Sequence, residues 1–328
     1  MNDDPGVPPG TDPATPTPWP TDEVMAALAP ARLFGLDGRV VVITGAAGGV
    51  GRWLAAGFAA AGARLLVTDR DAPPLEELAA GLRRAGSTVE LLVFDLAAPD
   101  APDSIVGAAV GRFGRLDVLV NNAGVNRRLP ILEVEPEMLD WIWATNFRAP
   151  YLLAQAAARV MIEQGGGAIL QVGSINSTVG IEDLSLYAPT KAALGQLTRV
   201  AAVEWARHGI RVNTVVPGFF ATPMNATHWA HETRAPWIMD RIPLCRPGDP
   251  PELVGVCLLL ASDAGSYITG QAFVVDGGFT AGSRWNVPQG TGLGAYREHS
   301  GFGRPPVGSE DREPAGPEDR EPAGPEPR

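Results

Sequence analysis

The sequence has few of the residues that build disulfide frameworks and metal centres. Its 328 residues include two cysteines and four histidines. Cys245 and Cys257 cannot make a disulfide framework and lack the spacing of metal ligands. His228 and His231 lie three residues apart without a carboxylate–histidine cluster, so we interpret them as ordinary loop residues. We therefore predict no metal site, and a reducing compartment suits the chain.

Long apolar runs and positive charge are also scarce. No run approaches the length of a membrane-spanning helix, and the first residues, MNDDPGVPPG, have neither the basic nor the apolar region of a signal peptide. The net charge is -11, with much of the acidity near the two ends. This balance does not match the basic patch of a nucleic-acid-binding protein. We expect a cytoplasmic protein with a small-molecule substrate and neither a nucleic-acid nor a membrane partner.

Both ends of the chain are poor in core-forming residues. Residues 1–30 contain eight prolines and five acids but no Lys or Arg, which predicts a disordered tail. The sequence EDREPAGP occurs at 310–317 and again at 318–325, a pattern typical of a solvated repeat. We expect residues 283–328 to form an extension that is disordered from about residue 303.

Between residues 31 and 282, short β-branched runs alternate with longer Ala- and Leu-rich segments. The strand candidates are residues 39–45, 64–69, 89–95, 116–124, 167–174, 210–218 and 271–278. Their apolar runs are nearly continuous, as strands covered on both faces require. The alternation predicts one α/β domain of the Rossmann type, a doubly wound, seven-stranded parallel sheet flanked by helices.

A glycine-rich turn, TGAAGGVG, separates the first strand candidate from an apolar helix. Gly45 permits the tight turn, Gly49 allows the backbone to approach a pyrophosphate, and Gly51 lets the helix pack on the strand. The strand–turn–helix context makes this a strong prediction of a dinucleotide site. A flexible Gly-Ala loop is the alternative interpretation.

Asp69 ends the second strand candidate, where a carboxylate accepts hydrogen bonds from the adenosine ribose. It would also repel a 2′-phosphate, so we expect NAD as the cofactor. Arg70 opposes this preference, because a guanidinium attracts that phosphate, and NADP is not excluded. Asp95 follows the third strand candidate, where the adenine edge would lie. Capping of a turn or helix is the alternative role for both carboxylates.

Tyr187 and Lys191 are four residues apart and share one face of a predicted helix. A fixed ammonium favours the phenolate and lowers the pKa of a tyrosine, which is otherwise too high for a base at neutral pH. The pair alone is common. A half-buried aromatic beside a solvated charge is the other interpretation.

The motifs together resemble the short-chain dehydrogenase/reductase family over about residues 35–280. They are T-G-x-x-x-G-x-G from Thr44, NNAG from Asn121, Tyr-x-x-x-Lys and the dipeptide PG at 217–218. The resemblance implies hydride transfer between a secondary alcohol or ketone and NAD(P), in a homotetramer or homodimer. It also implies a catalytic tetrad of Asn146, Ser174, Tyr187 and Lys191. Gly173 stands where the family usually has a serine, but the catalytic position itself is intact.

The resemblance also implies the role of each group. Ser174 would position and polarise the substrate oxygen, Asn146 would hold a water linked to Lys191, and Lys191 would also bind the nicotinamide ribose. The expected cofactor contacts are Thr44, Gly45, Gly48, Gly49, Val50, Gly51, Asp69, Arg70, Asp95, Leu96, Asn122, Ala123, Gly124, Tyr187, Lys191, Pro217, Gly218, Phe219 and Thr222.

Two further segments bear on the substrate. NNAGVNRRLPILE and WIMDRIPLCRPGDPPELVG resemble the gluconate 5-dehydrogenase and 2-deoxy-D-gluconate 3-dehydrogenase group. Arg127 and Arg128 follow NNAG, and an arginine fork suits a carboxylate. With Ser174 and Tyr187 they are the expected substrate contacts, which favours a sugar acid or related polyol. A solvated basic pair is the alternative. Residues 223–248 are predicted to form a substrate lid.

Two other functions stay open at this point. The tryptophans in 223–248 suit an apolar substrate equally well, so a reductase or dehydrogenase of acyl, steroid or secondary-metabolite ketones is the second hypothesis. A cofactor-binding scaffold without turnover is the third. The complete tetrad argues against a scaffold, because binding alone does not need Ser174 or Asn146.

Overall fold

The structure, a computed structural model, describes residues 21–282, without the side chains of Met224 and His228. The predicted extension at 283–328 and residues 1–20 of the predicted tail lie outside the described residues. Within that tail, residues 22–27 form a short helix that the proline content did not indicate. Thr21 caps it, since its hydroxyl accepts a hydrogen bond from the Val24 amide at 3.4 Å.

Seven parallel strands form one sheet in the order β3-β2-β1-β4-β5-β6-β7. The strands are β1 (Val40–Thr44), β2 (Arg64–Asp69), β3 (Val89–Val93), β4 (Val118–Asn121), β5 (Gly167–Val172), β6 (Ile210–Pro217) and β7 (Ala272–Val275). All five residues of β1 are buried, because helices cover the sheet on both faces. The predicted Rossmann-type doubly wound sheet is confirmed.

The helices form two layers. They are α1 (Asp22–Ala27), α2 (Pro30–Leu33), α3 (Gly49–Ala60), α4 (Ala72–Arg84), α5 (Ala101–Phe113), α6 (Pro136–Trp143), α7 (Ala149–Gln164), α8 (Ala188–Trp205), α9 (Ala226–Trp229), α10 (Arg234–Arg241) and α11 (Val254–Ala261). One apolar core joins α3, α4 and α11 to one face of the sheet. The other core joins α5, α7 and α8 to the opposite face. The carboxyl ends of the strands stay open between the layers.

The strand order reverses between β1 and β4, and the ends of these two strands interlock. The Thr44 hydroxyl accepts hydrogen bonds from the amides of Asn122 and Ala123, both at 3.1 Å. The Asn122 side-chain amide donates to the carbonyl oxygens of Thr44 and Gly45, each at 3.0 Å. This network fixes the crevice in which open α/β sheets bind ligands.

The helical segment between β4 and β5 contains a widened turn. Residues Ala144–Arg148 are π-helical and lie between α6 and α7. Pro150 has no N–H, so the carbonyl of Asn146 cannot receive an α-helical hydrogen bond from it. Such a turn is common at functional sites, and this one contains Asn146.

Among the described helices none is long and apolar enough to cross a membrane.

Candidate active site

A cavity of about 300 Å³ opens at the carboxyl ends of β1 to β4. Most of the expected cofactor contacts line it: Gly45, Gly48, Gly49, Val50, Gly51, Asp69, Arg70, Asp95, Leu96, Asn122, Ala123, Gly124 and Thr222. Sequence reasoning missed other lining residues, which are Ala47, Asp71, Pro74, Phe94, Val125 and Thr145. They carry no motif of their own, so only the three-dimensional fold reveals them. We call this space the cofactor cavity.

The glycine-rich turn forms a close-fitting wall of the cofactor cavity. Gly45 has a φ of +63°, and a Cβ there would lie 2.7 Å from the Cα of Ala123. A Cβ at Gly51 would overlap the carbonyl oxygen of Gly45 and lie 2.8 Å from the Cα of Ala46. The N-cap of α3 is Gly48, which has no side chain to accept hydrogen bonds from the first backbone amides of the helix. Those amides suit a pyrophosphate, so the residues present fit a dinucleotide.

Asp69 is held by the backbone around it. Its Oδ2 accepts from the Ala47 amide at 3.0 Å and its Oδ1 accepts from the Arg70 amide at 2.8 Å. The carboxylate is therefore fixed at the edge of the cofactor cavity. The Arg70 side chain is more than half exposed and lies 3.9 Å from a carboxylate oxygen of Asp71. Asp95 accepts from the Ala97 amide at 2.9 Å, so it caps a turn and also lines the cavity.

A second cavity of about 150 Å³ contains the chemistry-bearing side chains. Ser174, Tyr187 and Lys191 line it, together with the predicted contacts Pro217, Gly218 and Phe219. We call it the catalytic cavity. The two cavities share the lining residues Val50, Asn122, Gly124 and Thr222, so they adjoin. Thr44 lines neither: it is buried and supports the cofactor cavity through the interlock with Asn122.

The tyrosine, serine and lysine lie close together because two elements meet at the end of β5. Ser174 follows β5, and its hydroxyl lies near enough to the Tyr187 phenol to lower the pKa of that group. The Lys191 nitrogen lies 5.6 Å from the centroid of the Tyr187 ring and donates to the carbonyl oxygen of Val172 at 2.8 Å. That bond anchors the ammonium between α8 and β5.

The pKa of Tyr187 shifts in the direction opposite to our expectation. Burial raises the pKa of the phenol, and the Ser174 hydroxyl opposes this only in part. Lys191 is itself buried, which lowers its pKa to about 8. Desolvation disfavours the charged form of each group and is the largest cause of both pKa shifts. The phenol therefore stays protonated at neutral pH in this structure.

Asn146 does more positioning than the sequence indicated. Its Oδ1 accepts from the Val125 amide and its Nδ2 donates to the Val125 carbonyl, both at 2.8 Å. This side chain is fully buried. Its side-chain amide is thus engaged with the backbone of the segment that follows NNAG. The water that we expect Asn146 to hold beside Lys191 stays a prediction.

The two neighbouring arginines separate in space. Arg128 is half buried and lines the catalytic cavity, whereas Arg127 is exposed and lies over the Trp141 ring, 5.8 Å from its centroid. Burial lowers the pKa of Arg128, the positive charge of Arg234 lowers it further, and Asp183 partly opposes this. An anion beside Arg128 would offset both the desolvation of its guanidinium and the repulsion by Arg234.

The segment predicted as a lid is helical. It contains a 3-10 turn (Pro223–Asn225) and the short helices α9 and α10. Phe219 packs against Trp229 and Phe279, with ring centroids 6.4 and 5.2 Å away, and Trp237 also contacts Phe279. This aromatic cluster joins the segment to the wall of the catalytic cavity, because Phe219 lines that cavity.

Comparison with known proteins agrees with this geometry. A family model described as enoyl-(acyl carrier protein) reductase matches residues 45–280, which include both cavities. The chain belongs to the short-chain dehydrogenase/reductase family. It is therefore an NAD(P)-dependent oxidoreductase that acts on CH–OH groups, and the order of its motifs is explained.

Several members of the family are similar to this chain over nearly their full length. Gluconate 5-dehydrogenase of Gluconobacter oxydans is 38% identical over 248 residues, covering 76% of this chain and 97% of the relative. The 5-keto-D-gluconate 5-reductase of Escherichia coli K12 is 36% identical over 246 residues, covering 75% and 97%. The structure of a Burkholderia cenocepacia gluconate 5-dehydrogenase in complex with NADP and tartrate is 36% identical with a TM-score of 0.74, covering 77% and 99%.

Proposed function

We propose that this enzyme interconverts a polyhydroxy acid of the gluconate type and the corresponding keto acid. The observation that carries the proposal is the half-buried Arg128 in the same cavity as Ser174 and Tyr187. A buried guanidinium matches a carboxylate in charge and geometry. Two relatives are named for gluconate and 5-keto-D-gluconate, which supports the same substrate class.

In the proposed mechanism, Tyr187 moves the proton at the reacting oxygen. The nicotinamide accepts or supplies the hydride when it is bound. In carbonyl reduction the Tyr187 phenol donates its proton to the oxygen, while Ser174 donates a hydrogen bond that holds the oxygen in place. In alcohol oxidation the phenolate takes that proton back. Lys191 supplies positive charge beside the phenol, and Asn146 fixes the backbone of Val125, which lines the cofactor cavity.

For the cofactor we propose a preference for NAD. The fixed carboxylate of Asp69, with Asp71 next to it, places negative charge where a 2′-phosphate would lie. Arg70 is the opposing charge, and a solved relative binds NADP. Titration of the enzyme with NADH and with NADPH, monitored by fluorescence, tests the preference. Tighter NADPH binding would mean that Arg70 outweighs Asp69.

The pair Arg127 and Arg128 tests the substrate class. Replacing Arg128 with Ala should raise the KM for gluconate-type acids by roughly 10-fold or more, because an ionic hydrogen bond is lost. The KM for an uncharged polyol should change little. Arg127→Ala is the matched control and should change either KM by less than about 2-fold, since this side chain lies on Trp141. Equal effects of the two substitutions would end the proposal.

The aromatic cluster supports a second candidate, a reductase of an apolar ketone. Phe219 and its neighbours form an apolar wall, and the matching family model is described as an enoyl-(acyl carrier protein) reductase. Turnover of hydrophobic ketones but not of sugar acids would select this candidate. The relatives are named as enzymes, which supports turnover over a scaffold role.

We also propose a homo-oligomer built on α7 and α8. Four apolar side chains on these helices are exposed: Tyr151, Ile162, Val200 and Val203. Val203 is 82% exposed. A groove between the two helices continues this apolar surface. Sedimentation of the enzyme and of Val203→Glu tests this, and an unchanged mass of the variant would argue against this face.

A cytoplasmic location stays a prediction, which cell fractionation would test.

A further inference from the structure

Two amide side chains in the catalytic cavity carry buried oxygens without a hydrogen-bond partner. They are Asn126 Oδ1 and Asn176 Oδ1. Within residues 21–282 there are other unpaired buried oxygens and nitrogens, but among them these two residues are the ones that line either cavity. Leaving a buried oxygen unpaired is unfavourable, so its occurrence twice at one site calls for a ligand.

Both residues are anchored beside the reacting groups. The backbone N–H of Asn176 donates to the Ser174 hydroxyl oxygen at 3.2 Å, in the short turn that Ser174 caps. Asn126 follows Val125, whose amide and carbonyl are both held by Asn146 at 2.8 Å. The two backbones are therefore fixed, while the last torsion of an asparagine is broad enough to turn its amide toward a ligand.

A hydroxyl group is the ligand that these amides suit. It donates one hydrogen bond and accepts others, so it can satisfy either end of an amide. An apolar ketone would leave both oxygens unpaired, and a carboxylate would repel them. The two other asparagines that line the cavity, Asn122 and Asn225, have no buried unpaired oxygen. The side-chain amide of Asn122 donates to the carbonyl oxygens of Thr44 and Gly45, and that of Asn225 donates to the Phe220 carbonyl at 3.2 Å.

We propose that Asn126 and Asn176 bind hydroxyl groups of the substrate on carbons near the reacting one, and so select polyhydroxylated substrates over singly hydroxylated ones. This inference rests on the proposed function, because it concerns the same cavity and the same reaction. It adds a second criterion of selection. Arg128 recognises the carboxylate, whereas the two asparagines recognise the hydroxyls.

Four probes separate the two criteria. D-gluconate has a carboxylate and many hydroxyls, D-glucitol has the hydroxyls alone, 5-hydroxyhexanoate has the carboxylate and a single hydroxyl, and 2-hexanol has neither extra group. The kcat/KM of the full chain is measured for each probe, and then for Asn126→Leu and Asn176→Leu. Leucine keeps the approximate size of asparagine but forms no hydrogen bond.

Each substitution should lower kcat/KM for gluconate and glucitol by about 10-fold and leave 5-hydroxyhexanoate and 2-hexanol within about 2-fold. The singly hydroxylated probes are the internal control, because a misfolded variant loses all four activities alike. Melting temperature and NADH titration confirm the fold of each variant. Equal losses on all probes with an intact fold, or no loss on the polyols, would overturn the inference.

The experiment also separates this inference from the proposed function. Preference for both polyols over both singly hydroxylated probes, without preference for acids, would overturn the acid substrate class and leave the hydroxyl selection standing. Preference for acids without preference for hydroxyls would do the reverse. Preference for 2-hexanol over the other three would overturn both.

Discussion

The two cavities of this enzyme are built in different ways. The cofactor cavity is made from glycines, short side chains and paired polar groups, and its left-handed position is occupied by a glycine, Gly45. The catalytic cavity contains unpaired amides and desolvated charges. The described residues include two non-glycine residues with positive φ: Asp183 at 64°, in the segment that follows Ser174, and Cys245 at 56°, within the predicted lid.

This difference matches what each cavity has to bind. NAD and NADP share all but one phosphate group, so a close-fitting site with paired polar groups serves either dinucleotide. A substrate site must change charge and exchange hydrogen bonds during each turnover, and strain and unpaired groups accumulate there. We therefore expect the cofactor cavity to respond to changes in shape and the catalytic cavity to changes in polarity.

The largest effect should come from Tyr187→Phe, which removes a single oxygen from the catalytic cavity. Proton transfer by a positioned group contributes roughly 10²–10⁴-fold to a rate, so kcat should fall by about 10³-fold. The affinity for NADH should change by less than about 3-fold, because the ring remains. Tyr267→Phe is the control, since that side chain is fully exposed. Retention of a tenth of the activity would remove Tyr187 from its role.

Gly51→Ala should have the next largest effect, through shape alone. The added methyl would overlap the Gly45 carbonyl oxygen, so the turn must shift. NADH affinity should fall by roughly 100-fold, and the free energy of unfolding should fall by about 1–3 kcal/mol. Gly107→Ala makes the same chemical change on α5, where nothing lies within 4 Å of the new methyl, and should stabilise slightly. Similar affinities for both variants would contradict a close-fitting turn.

The pH dependence should distinguish the two directions of reaction. The pKa of Lys191 is lowered to about 8, so its ammonium is present below that pH and is lost above it. The pKa of Tyr187 is raised, so its phenol stays protonated through neutral pH. Carbonyl reduction should therefore be nearly constant from pH 6 to about 7.5 and fall above about 8. The rate of alcohol oxidation should instead rise with pH from pH 6 upward, because the fraction of phenolate increases.

Lys191→Arg sharpens this test. An arginine stays charged across the whole range, so the fall in reduction near pH 8 should disappear in whatever activity remains. Rates for both directions, measured from pH 6 to 10, provide the comparison. A fall near pH 8 that persists in Lys191→Arg would assign it to another group.

Most of the fold could be predicted from the sequence because it depends on local patterns. Continuous apolar runs gave all seven strands, and the glycine spacing identified the cofactor cavity. The pKa of Tyr187 could not be predicted in the same way, because its direction depends on how far burial outweighs a neighbouring charge. Asn126 and Asn176 were missed, although each is close in sequence to a predicted site residue. Their importance depends on lacking partners, which only atomic packing reveals.

The smallest effect should come from relieving strain beside the lid. Cys245→Gly replaces a residue at φ 56° with one that adopts this conformation freely, so the free energy of unfolding should rise by about 0.5–1 kcal/mol. The melting temperature should then rise by roughly 2–4 °C. Cys257→Gly is the matched control, because the same change removes a buried side chain from α11 and should destabilise the enzyme. If Cys245→Gly also lowers the melting temperature, the left-handed backbone at this position is not a source of strain in the predicted lid.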